Sequence, residues 1–181
     1  YKDGFFVNKS MKAIETVYDG YFFRSRIEAR WAVFFNTLGI EWEYEKEGYN
    51  LNNNFYLPDF WLSKVYDRHG KRGVWVEIKG ESPTKKENKL CEFLAKDTKH
   101  SVYLFCGLPD HDHDCGYHFG GEWDNYMKFQ RCSKCGCINL MYLEGNYDGE
   151  KCFDKNCRGK RSFFDQKIEN GKIAAKQARF E

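Results

Sequence analysis

The chain has 181 residues, a formal net charge of +2 and aromatic residues at 18% of its length. Without an apolar run long enough to span a bilayer or a signal-peptide pattern, the expectation is a soluble intracellular protein with no membrane partner. The length suits one domain or a domain with a small appendage, and the near-neutral balance does not by itself announce a nucleic-acid binder.

The sequence starts at Tyr1. Met11 is a candidate native start, so residues 1–10 read as an extension or tag outside the fold. The first strong element is a helix over 26–38. Ser25 is a good N-cap, Ser25-Arg26-Ile27-Glu28 fits a capping box, and Gly39 ends the run. Ile27, Trp31, Phe34, Phe35 and Leu38 recur at helical spacing. Arg24, Arg26 and Arg30 crowd the helix start, where the dipole disfavours cations, which points to nearby anions or to a solvated basic turn.

Residues 41–45 alternate like a half-exposed strand, and the Gly/Asn-rich stretch 48–54 is loop chemistry. A second strand over 55–62 carries Pro58, which favours an edge, a bulge or a strand start. The polar turn 67–73 closes a hairpin onto a third strand, 74–79. Alternation there sends Glu77 and Lys79 to one face and Val76 and Ile78 to the other. His69 reads as an exposed turn residue, or as a DNA contact together with its basic neighbours.

Asp59 and Glu77 can hold magnesium, which takes hard oxygen ligands and needs one or two carboxylates plus substrate phosphate. The Ile78 carbonyl could add a third oxygen. Lys79 would orient a metal-bound water or stabilise charge on a phosphorus centre. The plainer alternative is a pair of exposed, salt-bridging strands. After Gly80, Ser82-Pro83 reads as the N-cap and N1 of a second helix. Leu90, Phe93 and Leu94 face inward on it. Residues 101–106 are a continuous apolar run, suited to a strand buried on both faces.

Pro58-Asp59 followed by Glu77-Ile78-Lys79 resembles the PD-(D/E)xK nuclease superfamily, which includes restriction endonucleases, Holliday-junction resolvases and transposon-end nucleases. The order helix, three strands, helix, strand over 11–109 is similar to its core. The run Phe23 to Trp31 resembles the helix that in many members carries a further glutamate, here Glu28. The resemblance implies an α/β (α+β) fold, a mixed central sheet flanked by helices in a restriction-endonuclease-like core. It also implies hydrolysis of DNA phosphodiesters, endonucleolytic by preference, by Glu28, Asp59, Glu77 and Lys79 with magnesium or manganese held by Asp59, Glu77 and Ile78. A catalytically silent or partner-dependent DNA-binding subunit of a recombination, mobile-element or defence complex is the alternative, and a homodimer or larger nucleoprotein complex is compatible with either.

Residues 110–124 read as a linker, with His111 and His113 as candidate metal ligands. Eight cysteines without a secretory signal are unlike a disulfide set. Cys132 and Cys135 have the two-residue gap that lets both thiolates of a tight turn reach one zinc. Cys152 and Cys157 follow at roughly zinc-ribbon distance, with a looser gap. Cys137 is an extra thiol that could replace Cys135. A structural zinc at Cys132, Cys135, Cys152 and Cys157 is expected in a ribbon over 125–165. An iron–sulfur cluster is the competing occupant. The superfamily's cluster-bearing exonucleases place one cysteine ahead of the catalytic core, and none precedes Cys91 here. Residues 166–181 suit a helix that packs back or lies on DNA, and Lys151, Lys155, Arg158, Lys160 and Arg161 make the ribbon basic.

Overall fold

The computed structural model describes residues 13–109, 127–142 and 148–180. A hairpin of β1 (Thr16–Tyr18) and β2 (Tyr21–Phe23) turns through Asp19-Gly20 and leads into helix α1 (Arg26–Leu38). The Ser25 hydroxyl accepts from the Glu28 N–H, and Gly39 closes the helix at φ 73°, a left-handed position that suits a residue without Cβ. The Glu28 carboxylate completes the cap differently from a reciprocal box, taking the Ser25 hydroxyl and the Arg24 N–H.

Short strands β3 (Glu43–Tyr44), β4 (Tyr49–Leu51) and β5 (Asn54–Tyr56) precede the long hairpin of β6 (Phe60–Tyr66) and β7 (Arg72–Lys79). Helix α2 (Lys85–Thr98) then crosses to β8 (Ser101–Cys106), parallel to β7. It starts later than Ser82-Pro83 suggests. Thr84 and Glu87 form the reciprocal capping box, satisfying two helix-end donors together, and this fixes the start at Lys85. The chain resumes with β9 (Met127–Cys132), β10 (Ile138–Tyr142), β11 (Arg161–Ser162) and helix α3 (Gln166–Gln177).

The result is a mixed α+β fold. One seven-stranded sheet runs in the order β11-β9-β10-β6-β7-β8, with β3 also paired to β6. Along β7, Val74, Val76 and Ile78 enter the core beneath α1, whereas Trp75 enters the core beneath α2. Strand β8 splits likewise, Tyr103 and Phe105 to the first core and Val102 and Leu104 to the second. A strand covered on both faces has no polar side, which is why 101–106 reads as continuously apolar. Trp31, Phe34, Phe35, Phe60, Phe105 and Phe129 interlock in the larger core.

The described residues of the segment expected as a zinc-ribbon appendage, 125–165, share the main sheet and core. Strand β10 pairs in parallel with the end of β6 through Asn139 and Tyr66, and Met127, Phe129, Ile138 and Leu140 belong to the same core as α1. Its few strands cannot bury their apolar faces alone, so they extend the existing sheet. Helix α3 packs against α1, with Gly171 at the contact: a Cβ there would meet Leu38 Cδ1 at 2.4 Å. Arg30 is committed to this contact, its Nη1 donating to the Ala175 and Lys176 carbonyls at the end of α3. The expected linker over 110–124, with His111 and His113, lies outside the described residues. No described helix is long and apolar enough to cross a membrane.

Candidate metal and active site

The site lies where β6 and β7 begin to separate. Phe60 faces Val76, so continuing the antiparallel register by one residue sets Asp59 opposite Glu77. Both acids are almost fully enclosed, at 1% and 2% exposure. Asp59 Oδ2 accepts the Ile78 N–H at 2.7 Å, and Glu77 Oε2 accepts the Asp59 N–H at 3.3 Å. Lys79 Nζ donates to Glu77 Oε1 at 2.6 Å and stands 3.8 Å from Glu87 Oε1 on α2. Arg24 closes the other side, with Nη2 2.6 Å from Asp59 Oδ1 and Nε 2.7 Å from Glu45 Oε1.

Glu28 is held nearby at the start of α1. Its Oε1 accepts from the Ser25 hydroxyl at 2.7 Å, and its Oε2 accepts from the Tyr44 hydroxyl at 2.5 Å and the Arg24 N–H at 3.1 Å. Both oxygens are therefore engaged by the chain itself. Asp59, Glu77, Lys79 and Glu28 are thus brought into one neighbourhood, the first three in direct or backbone-mediated contact.

Electrostatics follow from crowding acids out of water. Burial pushes the Asp59 carboxyl well above the usual carboxylate range, and the charges of Glu77 and Glu28 push it further. The Lys79 ammonium and the Ile78 N–H pull the other way without prevailing. Burial opposes the charge on Lys79, but Glu77 and Asp59 outweigh it and hold its pKa above the ordinary lysine value. Burial and the hydrogen bond to Glu28 raise the Tyr44 phenol. Clustered acids of this kind need cations, because desolvated like charges repel without the screening of solvent. The donors offered are hard carboxylate oxygens, a set that fits magnesium or manganese.

Sequence reading missed two participants. Tyr44 pins Glu28 from β3 across sixteen positions, and no local pattern announces it. Arg24 stands out in sequence as one of several cations at a helix start, whereas the fold singles it out as the partner of Asp59. Arg30, from the same group, binds backbone carbonyls instead. His69 sits exposed in the β6–β7 turn, its Nε2 2.9 Å from Arg68 Nε.

The cysteines gather at the far end of the sheet. The sulfurs of Cys132, Cys135, Cys137 and Cys152 lie within 4.8 Å of one another, a group that could hold a metal ion such as zinc. Cys137 therefore joins the cluster, and Cys157 borders it, 3.7 Å from Cys132. The approach of Cys135 to Cys152 is 3.6 Å, and that of Cys137 to Cys152 is 3.1 Å. Tetrahedral zinc with Zn–S of about 2.3 Å separates its sulfurs by about 3.8 Å, close to the first two spacings and longer than the third. Backbone N–H groups two residues on point at Cys132, Cys152 and Cys157, at 3.5, 3.3 and 3.3 Å. Burial works against a thiolate at Cys132, but such N–H donors, from Cys135 and Lys134, bring its pKa down to about 6. Gly159 leaves room for this packing, since a Cβ there would meet Cys132 Sγ at 2.5 Å. Cys91 is buried in the core beneath α2, where burial raises its thiol to about 12.

No family model, curated protein or solved structure matches the chain.

Proposed function

We propose that the protein is a metal-dependent nuclease of the PD-(D/E)xK type, acting on DNA phosphodiester bonds and preferring internal cleavage. One observation supports this reading above the others: Asp59 and Glu77, both enclosed, face each other across β6 and β7 with Lys79 Nζ 2.6 Å from Glu77. In this reading Asp59, Glu77 and the Ile78 carbonyl would hold magnesium. When bound, magnesium lowers the pKa of a coordinated water and neutralises charge building on phosphate. Lys79, charged at neutral pH, holds its protons at Nζ and orients an attacking water or a phosphate oxygen. Glu28, fixed by Tyr44 and Ser25, keeps a negative charge beside Asp59 and so strengthens the site's demand for a cation.

In the same reading zinc is structural, bound by Cys132, Cys135 and Cys152 with either Cys137 or Cys157 as the fourth ligand. Four thiolates close the coordination and leave no position for substrate. The basic residues Lys151, Lys155, Arg158 and Lys160, exposed beside it, would meet DNA phosphates without reading sequence.

The test is cleavage of circular, linear, nicked and forked DNA with magnesium or manganese, beside an RNA of matched length. Asp59→Ala and Lys79→Ala should each abolish cleavage while leaving far-ultraviolet circular dichroism unchanged. Undiminished cleavage in either variant removes the assignment of that residue. A second reading is favoured by the ion pairs Arg24–Asp59 and Lys79–Glu77, which already balance the acids. On that reading the protein is a catalytically silent DNA-binding module, and it is supported if magnesium binds no more tightly to wild type than to Asp59→Ala.

A further inference from the structure

Arg24 occupies the link between β2 and the cap of α1. Its root is fixed, because the backbone N–H donates to Glu28 Oε2 and to the Tyr44 hydroxyl, both at 3.1 Å. Its guanidinium reaches Asp59 Oδ1 and Glu45 Oε1 at 2.6 and 2.7 Å. The Arg24 side chain is 54% exposed, whereas that of Asp59 is 2% exposed. An anchored backbone and a half-exposed side chain that ends on a buried acid describe a group able to swing without disturbing the fold.

The inner oxygen of Asp59, Oδ2, is held by the Ile78 N–H. The guanidinium sits at the other oxygen, Oδ1, the one that the Ile78 N–H leaves for a divalent ion. Two cations contending for one buried carboxylate oxygen repel strongly. Glu45 gives Arg24 a second anchor outside the acid pair, and a guanidinium held there keeps N–H groups for a phosphate, which it grips through two parallel hydrogen bonds.

We propose that Arg24 is a built-in counter-cation for the acid pair: it neutralises Asp59 in the metal-free protein, leaves Oδ1 when a divalent ion enters, and then binds a phosphate of the nucleic acid. The inference rests on the nuclease reading of Asp59 and Glu77. It makes Arg24 and metal mutually antagonistic, and metal and nucleic-acid phosphate mutually supportive. An arginine with a merely structural role would give the opposite first sign, since its loss would loosen the site and weaken metal binding.

Calcium, which binds oxygen ligands and leaves thiolates alone, allows the test without cleavage. Calorimetric titration should show Arg24→Met binding calcium about tenfold more tightly than wild type, within the 5–150-fold range of ordinary coupling between sites. Arg24→Lys, which keeps the charge, should stay near the wild-type affinity. Unchanged or weaker binding by Arg24→Met overturns the inference. A labelled DNA duplex titrated against salt then reads the phosphate contact. With calcium, the slope of log K against log salt should be smaller by about 0.9 in Arg24→Met than in wild type. Without added divalent ion the two slopes should coincide, because wild-type Arg24 is then engaged with Asp59. Equal slopes in calcium overturn the phosphate contact. If Asp59→Ala takes up calcium as wild type does, the metal site itself fails and the Arg24 inference with it. If Asp59→Ala loses calcium while Arg24→Met gains nothing, the metal site stands and Arg24 has no such role.

Discussion

If Asp59 and Glu77 hold magnesium as proposed, the raised Asp59 carboxyl makes pH and magnesium act on stability with opposite signs. In the folded, metal-free protein, burial and the charges of Glu77 and Glu28 raise the pKa at which Asp59 ionises and pairs with Arg24. The unfolded carboxyl titrates at about 3.9. A folded pKa above the unfolded one contributes stability that is complete below about pH 4 and is lost as pH rises through the raised value. Magnesium needs the ionised carboxylate, so its stabilising increment should grow over that same rise. At free magnesium about 100 times Kd the increment is about 2.7 kcal/mol, which for a domain of this size is a Tm rise of about 5–11 °C. Asp59→Ala tests both halves. It leaves the Ile78 N–H without its acceptor, a cost of about 1–3 kcal/mol, and removes a like charge from beside Glu77 and Glu28. These effects oppose each other, so without divalent ion near neutral pH the variant should lie within about 2 kcal/mol of wild type. Scanning fluorimetry from pH 5 to 8, with and without added magnesium, measures all of this at about one-unit steps. A magnesium-dependent Tm rise of equal size and pH profile in Asp59→Ala would refute the reasoning.

Tyr44→Phe removes the hydroxyl that donates to Glu28 at 2.5 Å and accepts the Arg24 N–H; a loss of about 2 kcal/mol follows, visible as a lower denaturant midpoint at unchanged slope. Gly171→Val places side-chain atoms where even a Cβ comes within 2.4 Å of Leu38 and 2.9 Å of Phe34, and overpacking should cost about 2 kcal/mol; an unchanged Tm would show that α3 does not pack tightly on α1. If the cysteine cluster holds zinc as proposed, its removal by a strong chelator, or Cys132→Ser, should disturb more than the cluster, because β9 and β10 continue the central sheet. Loss of near-ultraviolet circular dichroism from the whole chain is expected, and a change confined to a small fraction of the signal would contradict the shared core. Elemental analysis of Cys137→Ser and Cys157→Ser identifies the fourth ligand, since the variant that loses its zinc has lost a ligand and the other has not.

Local sequence was sufficient wherever one residue's environment is set by near neighbours. The 3.6-residue recurrence of Trp31, Phe34, Phe35 and Leu38 fixes the buried face of α1, and the two-residue alternation of 74–79 separates Val76 and Ile78 from Glu77 and Lys79, as β7 shows. The proximity of Cys132 to Cys135 was legible for the same reason: a tight turn brings both thiols to one point. Ser82-Pro83 points to a start of α2 that is too early, because it overlaps with a second cap signal, Thr84-Glu87, within three residues. Only the reciprocal pair satisfies two backbone donors at once.

What the tertiary structure alone decided is long-range. That Asp59 faces Glu77 depends on the register of β6 against β7, which the turn and the buried faces of two cores set together. That Arg24 rather than Arg30 meets the acids depends on α3 packing against α1 and taking Arg30 for its own carbonyls. The cysteine segment joins the central sheet because its short strands find in β6 an edge to pair with and a core to enter. Periodicity tells a residue which way to face; which distant residue it meets there is chosen by packing, since burial selects among pairings that local sequence leaves equal.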